Sequence, residues 1–198
     1  MSFGSGFKLA SVAIVLAILL TACGHMPLRS MVKLSKIDFE TTDPAQVRAA
    51  VKLPRQLQPR PNKVVMRIKV AMTGRPEEVL DFALREVADP SELLSMQSEL
   101  EADTHIFAYR LTAADTERVT AFRGALMERH RKQGQRGRLT IEIRADACRS
   151  GGLPPRDPRI TTYLRTAETG EFVALVRDVN VAEMMQTSDI AGRLEPCT

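Results

Sequence analysis

The sequence predicts an α+β domain, a largely antiparallel sheet of about six strands with two or three inserted helices. Three observations predict it. Six short segments alternate apolar and polar residues with the two-residue period of half-buried strands. Most of them follow one another across breaks marked by Gly or Pro, as hairpin strands do. Helix-start signals interrupt them only irregularly, which argues against a doubly wound parallel sheet.

Asp43-Pro44 carries the first helix start in the body, with Asp43 as cap, Pro44 at the first helical position and Gln46 where a capping box places Glu or Gln. Pro54 ends that helix early, and Pro54, Pro59 and Pro61 predict an extended connector without regular structure. Val64, Met66, Ile68, Val70 and Met72 then alternate as a strand until Gly74-Arg75-Pro76. Between Val79 and Val87, Leu80, Phe82 and Leu84 alternate as in a strand, whereas Val79, Phe82, Ala83 and Glu86 share a helical face. Arg75 is a poor cap and the Gly-Pro break can return the chain beside the preceding strand, so the strand is preferred.

Asp89-Pro90-Ser91-Glu92 places cap, proline and acidic residue for a helix running to about Ala102. Ile106 to Leu111 alternates again, with Phe107, Tyr109 and Leu111 on one face. Thr112 to Asp115 resembles a capping box, and Val119, Phe122 and Leu126 mark the main amphipathic helix behind it. Leu139, Ile141, Ile143 and Ala145 form a strand leading to Cys148, followed by a loop with Gly151-Gly152 and Pro154-Pro155. Ile160 to Thr166 and Phe172 to Arg177 are two further strands, joined by a hairpin around Glu168-Thr169-Gly170.

The first residues do not belong to this domain. Lys8 precedes an apolar run from Leu9 to Leu20, broken only by Ser11, and small Ala22 precedes Cys23, which is the layout of a signal peptide. The run is too short to span a bilayer, which takes roughly 20 residues. Leu20-Thr21-Ala22-Cys23 resembles the lipobox of bacterial lipoproteins. That resemblance implies a thioether from the Cys23 sulfur to diacylglycerol, cleavage after Ala22, and acylation of the freed amine. Several acyl chains hold a protein far more firmly than one. Gly24 stands where an acidic residue tends to retain such proteins at the inner membrane, so the resemblance implies the outer membrane, periplasmic side.

The expected organisation is therefore a cleaved signal peptide at 1–22, a lipidated N-terminus and irregular tether at 23–37, and one periplasmic domain at 38–198. Lys33 and Lys36 beside Leu34 and Ile37 suit a tether near anionic head groups. Met26 to Met31, the Asp43-Pro44 helix start, the Thr161-Thr162-Tyr163-Leu164-Arg165 strand and late Cys197 resemble uncharacterised proteobacterial envelope lipoproteins. This second resemblance implies no known activity.

With Cys23 lipidated, Cys148 and Cys197 remain in an oxidising compartment and are expected to pair, pinning the tail from Leu194 to Thr198. A free thiol or an intermolecular bridge is the alternative. The chain has 28 basic and 24 acidic residues, a net charge of +4, which is too mild and dispersed for a nucleic-acid binder. Arginine supplies 21 of those 28, and its guanidinium suits phosphate and carboxylate, although the arginines are spread along the whole chain.

No nucleophile elbow, HExxH pair or glycine-rich phosphate loop is present. Ser30-Met31-Val32-Lys33 matches S-x-x-K but lacks its partner motifs, and His25, His105 and His130 lack metal-ligand spacing. No catalytic residue, metal or cofactor is therefore expected. Arg129, Arg131, Lys132, Arg136 and Arg138 form the densest basic cluster. Cations there stabilise a helix C-terminus, which alone accounts for the run, and the alternative is a patch that docks an anionic surface. Arg149, Arg156 and Arg159 flank a proline-stiffened loop, a candidate for recognition. The sequence thus points to a non-catalytic outer-membrane lipoprotein whose domain binds or scaffolds another envelope component, a protein partner. The alternatives are an anionic lipid or glycan held by arginines, and a hydrolase assembled from distant residues.

Overall fold

Strand β1 (Arg48–Pro54) lies near the middle of a seven-stranded sheet and has neighbours on both sides. The computed structural model describes residues 26–72, 74–133, 137–151, 157–185, 192 and 194–197. Cys23, the signal segment, Arg136 and Arg156 lie outside them.

The other strands are β2 (Leu57–Met72), β3 (Glu78–Glu86), β4 (Thr104–Leu111), β5 (Gly137–Arg149), β6 (Arg159–Arg165) and β7 (Val173–Asn180). Their order is β5-β2-β3-β4-β1-β6-β7, and every pairing is antiparallel. The first six residues of β3 pair with β2 and its last three with β4, so the sheet turns a corner within that strand. It curls into a near-barrel, and the single-domain α+β fold is the one the sequence predicts.

Helix α1 (Leu28–Leu34) packs on β7, and α2 (Ala113–Gln133) packs its Val119 and Leu126 into the concave side of the sheet. Each such side chain contributes about 1.5 to 3 kcal/mol by leaving water. The start of α2 follows the expected cap: the Thr112 hydroxyl accepts from the Asp115 N–H at 3.0 Å and donates to its carboxylate at 2.8 Å. A short α3 (Val181–Met185) follows β7.

Several elements differ from expectation. Asp43-Pro44 yields only a 3₁₀ turn, Pro44–Gln46, and the chain then enters β1, a seventh strand. Six of its seven residues are buried, because it is covered on both faces. It therefore shows no apolar–polar alternation, with even Lys52 buried within it. The expected proline-rich connector is not irregular: Pro54 ends β1, and Pro59 and Pro61 lie in the first part of β2. Pro59 is tolerated there because this stretch has β5 on one side only, while β3 joins at Val65. The register shifts between Pro59 and Val64, where Asn62 adopts a φ of 60°, a left-handed conformation that Asn accepts more readily than most residues. Residues 28–34, expected to be irregular, form α1.

The helix after Asp89 is a 3₁₀ strap, Pro90–Glu99. In a 3₁₀ helix side chains three apart eclipse one another. Leu93, Met96 and Glu99 thereby line up toward the sheet, while Leu94, Ser95, Gln97 and Ser98 stay exposed. An α-helix would rotate that row away.

Candidate functional site

The strap crosses the convex face of β1, β6 and β7. Alternation along β1 sends Ala49, Val51 and Leu53 into the main core and puts Ala50 on the convex side. There Ala50, Met96, Tyr163 and Ala174 form a second apolar cluster, with Leu93, Ile106 and Phe172 packed against it. Met96 is the strap's one buried apolar side chain.

Carboxylates fasten the strap around that cluster. Glu92 accepts from Arg48 Nε at 3.0 Å and from Arg165. Glu99 accepts both Arg177 guanidinium nitrogens, at 2.8 and 3.0 Å, and the Tyr163 hydroxyl at 2.8 Å. Glu101, just past the strap, accepts from the buried Lys52 Nζ at 2.6 Å. Arg165 lies over the Phe172 ring and Arg177 over Tyr163, with centroid distances of 5.0 and 5.9 Å. The Arg177 hydrogen bonds hold the Glu99 carboxyl below its ordinary range against the opposing effect of burial. At Glu92 burial is the largest influence and acts upward, yet Arg48 and Arg165 together outweigh it. Burial, reinforced by Glu99, pushes the Tyr163 phenol well up.

This clamp holds open a groove between strap and β4. Pro90, Leu93, Leu94, Leu100, His105 and Phe107 line it, and its volume is about 380 Å³. Leu94 is 60% exposed and Leu100 52%. Sequence reading missed the groove, although the three-residue spacing of Leu93, Met96 and Glu99 was its signal.

The interior of the near-barrel also holds a space, lined by Phe39, Met66, Ile68, Leu111, Val119 and Leu164 among others. Its 40 Å³ compares with roughly 150 Å³ for a cavity that takes benzene. It cannot admit an acyl chain.

The residues of the predicted basic cluster have different surroundings. Arg129 forks onto Glu78, with one nitrogen at 3.2 Å and the other closer, and its guanidinium holds the Glu78 carboxyl down. Lys132 pairs with Glu128 at 2.7 Å one helical turn back. Arg131 and Arg138 are exposed and make no ion pair among the described residues.

Cys148 and Cys197 form a disulfide with Cα atoms 5.1 Å apart, closing a sequence separation of 49. The Arg149 N–H donates to the Glu195 carbonyl and the Cys197 N–H to the Arg149 carbonyl, both at 2.9 Å, so the tail is sewn to β5. Arg159 donates to the Asp178 carbonyl at 3.0 Å. Lys33, of the S-x-x-K match, pairs with Glu171 at 2.7 Å. Among the described residues no group of three or more His, Cys, Asp or Glu side chains could hold a metal, and no helix is long and apolar enough to cross a membrane.

Compared with known proteins, the chain matches no family model, no curated protein and no solved structure.

Proposed function

We propose that the chain is a lipid-anchored, non-catalytic module on the periplasmic side of the outer membrane, and that its strap groove takes an apolar segment of another envelope protein. The observation that carries this reading is the exposure of Leu94 on the strap and of Leu100 just past it, in a segment whose Glu92, Glu99 and Glu101 are held by four cations. A groove that is already formed loses little conformational entropy when occupied. Its lining is mostly aliphatic and aromatic, with the His105 imidazole and the Gln97 amide as its polar groups and no guanidinium or ammonium group. The cations of the same face, Arg48, Lys52, Arg165 and Arg177, are spent on the strap's own side. An apolar peptide segment suits that lining better than an anionic lipid or glycan does. The disulfide supports an oxidising compartment, and the lipobox supports the anchor.

A second reading, an anionic lipid or glycan bound at the end of α2, draws its support from exposed Arg131 and Arg138.

A photo-crosslinking residue at position 94, compared with one at Val79 on β3, tests the first reading in intact cells. A protein adduct of discrete mass is expected from position 94 alone, and it should vanish when Leu100→Arg is added to the same chain. Equal adducts from both positions, or none from position 94, would remove the groove as a binding site.

A further inference from the structure

We propose that α1 is a bilayer seat: its apolar outer face, bordered by Arg29 and Lys36, rests in the head-group region of an anionic membrane and fixes the orientation of the domain above it. The inference rests on the anchored reading. Four of the seven exposed large hydrophobic residues among those described, Met26, Leu28, Met31 and Val32, fall on or just before this one helix. Leu28 is 81% exposed and Val32 67%. Leu28, Met31 and Val32 stand at i, i+3 and i+4 and so share one side. The opposite side belongs to the domain, where Ser30 is buried and Leu34 packs against the core.

The occupant follows from where the chain comes from. Cys23 lies five residues before Leu28, and at 3.3 to 3.6 Å per residue the chain holds Leu28 within about 18 Å of the acylated residue. A surface that close to an inserted diacylglycerol meets lipid before it meets anything else. Arg29 and Lys36 are exposed and make no ion pair among the described residues, so their charge is available to phosphate head groups. An apolar face with flanking cations, lying in the interface plane, matches the known behaviour of interfacial helices.

The seat is rigidly joined to what it carries. Ser30 is buried and Leu34 packs against the core, which seats the helix on β7 at the sheet edge, and Lys33 Nζ lies 2.7 Å from Glu171 in the β6–β7 turn at the surface. After the last helical residue the Ser35 N–H donates to Met31 and the Ile37 N–H to Leu34, so no slack linker separates α1 from the core segment at Ile37 and Phe39. A swivelling tether would have neither tie. The β6–β7 turn, and with it that edge of the sheet, is therefore held toward the membrane.

The chain contains no tryptophan, which makes the test direct. Lipidated protein carrying Leu28→Trp, Val32→Trp or, as a control four strands from β7, Val79→Trp is placed in vesicles of phosphatidylethanolamine and phosphatidylglycerol with brominated acyl chains. Leu28→Trp and Val32→Trp should lose most of their emission relative to unbrominated vesicles, and Val79→Trp should keep it. Protein that floats with the vesicles while all three emissions stay unquenched overturns the seat and leaves the anchor standing. Equal quenching at all three positions overturns the fixed orientation. Protein that does not float overturns the anchor and the seat with it.

Discussion

Tyr163 of β6 donates its hydroxyl at 2.8 Å to Glu99, the last residue of the strap, across 64 positions of sequence. The same carboxylate receives Arg177 from β7, so one side chain ties a connector to two neighbouring strands. Tyr163 is fully buried and Glu99 is not, which makes the bond the meeting point of core and surface.

Removing either partner should therefore cost stability, and the two losses should not add. Glu99→Ala is expected to lower the unfolding free energy by about 2 kcal/mol, because it strands both Arg177 and the phenol. Tyr163→Phe should cost about 1 kcal/mol. Urea titrations of the single and double variants check this, and a double variant as destabilised as the sum of the singles would show the bond to be idle.

Acid should loosen the strap. Glu92 and Glu99 both have folded-state values below their unfolded value of 4.5. The unfolded chain thus binds more protons across that interval, so their contribution is complete above 4.5 and fades as pH falls through the lowered folded values. The urea midpoint should decline on acidification below about pH 5, less steeply in Glu92→Gln/Glu99→Gln, which lacks these two titrations. Parallel slopes for the two proteins would place the acid sensitivity elsewhere.

Reduction of Cys148–Cys197 should destabilise the domain by up to about 4 kcal/mol, the loop-closure cost for a separation of 49. It should also free the tail, whose backbone bonds to Arg149 are only two. Thermal unfolding with and without reductant, followed by limited tryptic cleavage of the Arg193–Leu194 bond, measures both effects. An unchanged midpoint would mean that the crosslink contributes nothing.

The basic cluster should split in two under mutation. Arg129→Ala removes a partly exposed pair with Glu78 and should cost roughly 1 kcal/mol. Arg131→Ala and Arg138→Ala should stay within about 0.5 kcal/mol of the parent. Only the latter two should weaken binding to vesicles rich in anionic lipid, if the second functional reading holds. Denaturation paired with vesicle sedimentation separates the roles.

Much of this fold is legible in the residues because half-buried strands alternate. Val64 to Met72 and Leu80, Phe82 and Leu84 reveal themselves in this way, and burial follows the pattern. Strand β1 is obscured because both its faces are covered, so Ala49, Ala50 and Val51 are all buried in succession. Pro59 and Pro61 point away from a strand, and only the missing neighbour on one side makes them acceptable. The disulfide follows from cysteine count and compartment. The groove does not, because it depends on a row of side chains spaced by three, and on which cations from distant strands meet Glu92 and Glu99. The spacing of Leu93, Met96 and Glu99 is written locally, but the distant cations that meet the strap are not.

The stitched tail has a wider effect. Strand β5 is one outer margin of the sheet, and its Arg149 end is occupied by the chain's own Glu195–Cys197 in a parallel bridge. Along the rest of that margin Arg138, Glu142, Arg144 and Asp146 alternate with apolar residues. Charges and a bound terminus are both deterrents to a foreign strand seeking unsatisfied amides. Copies of the chain that meet at this border can therefore part again instead of welding into fibres.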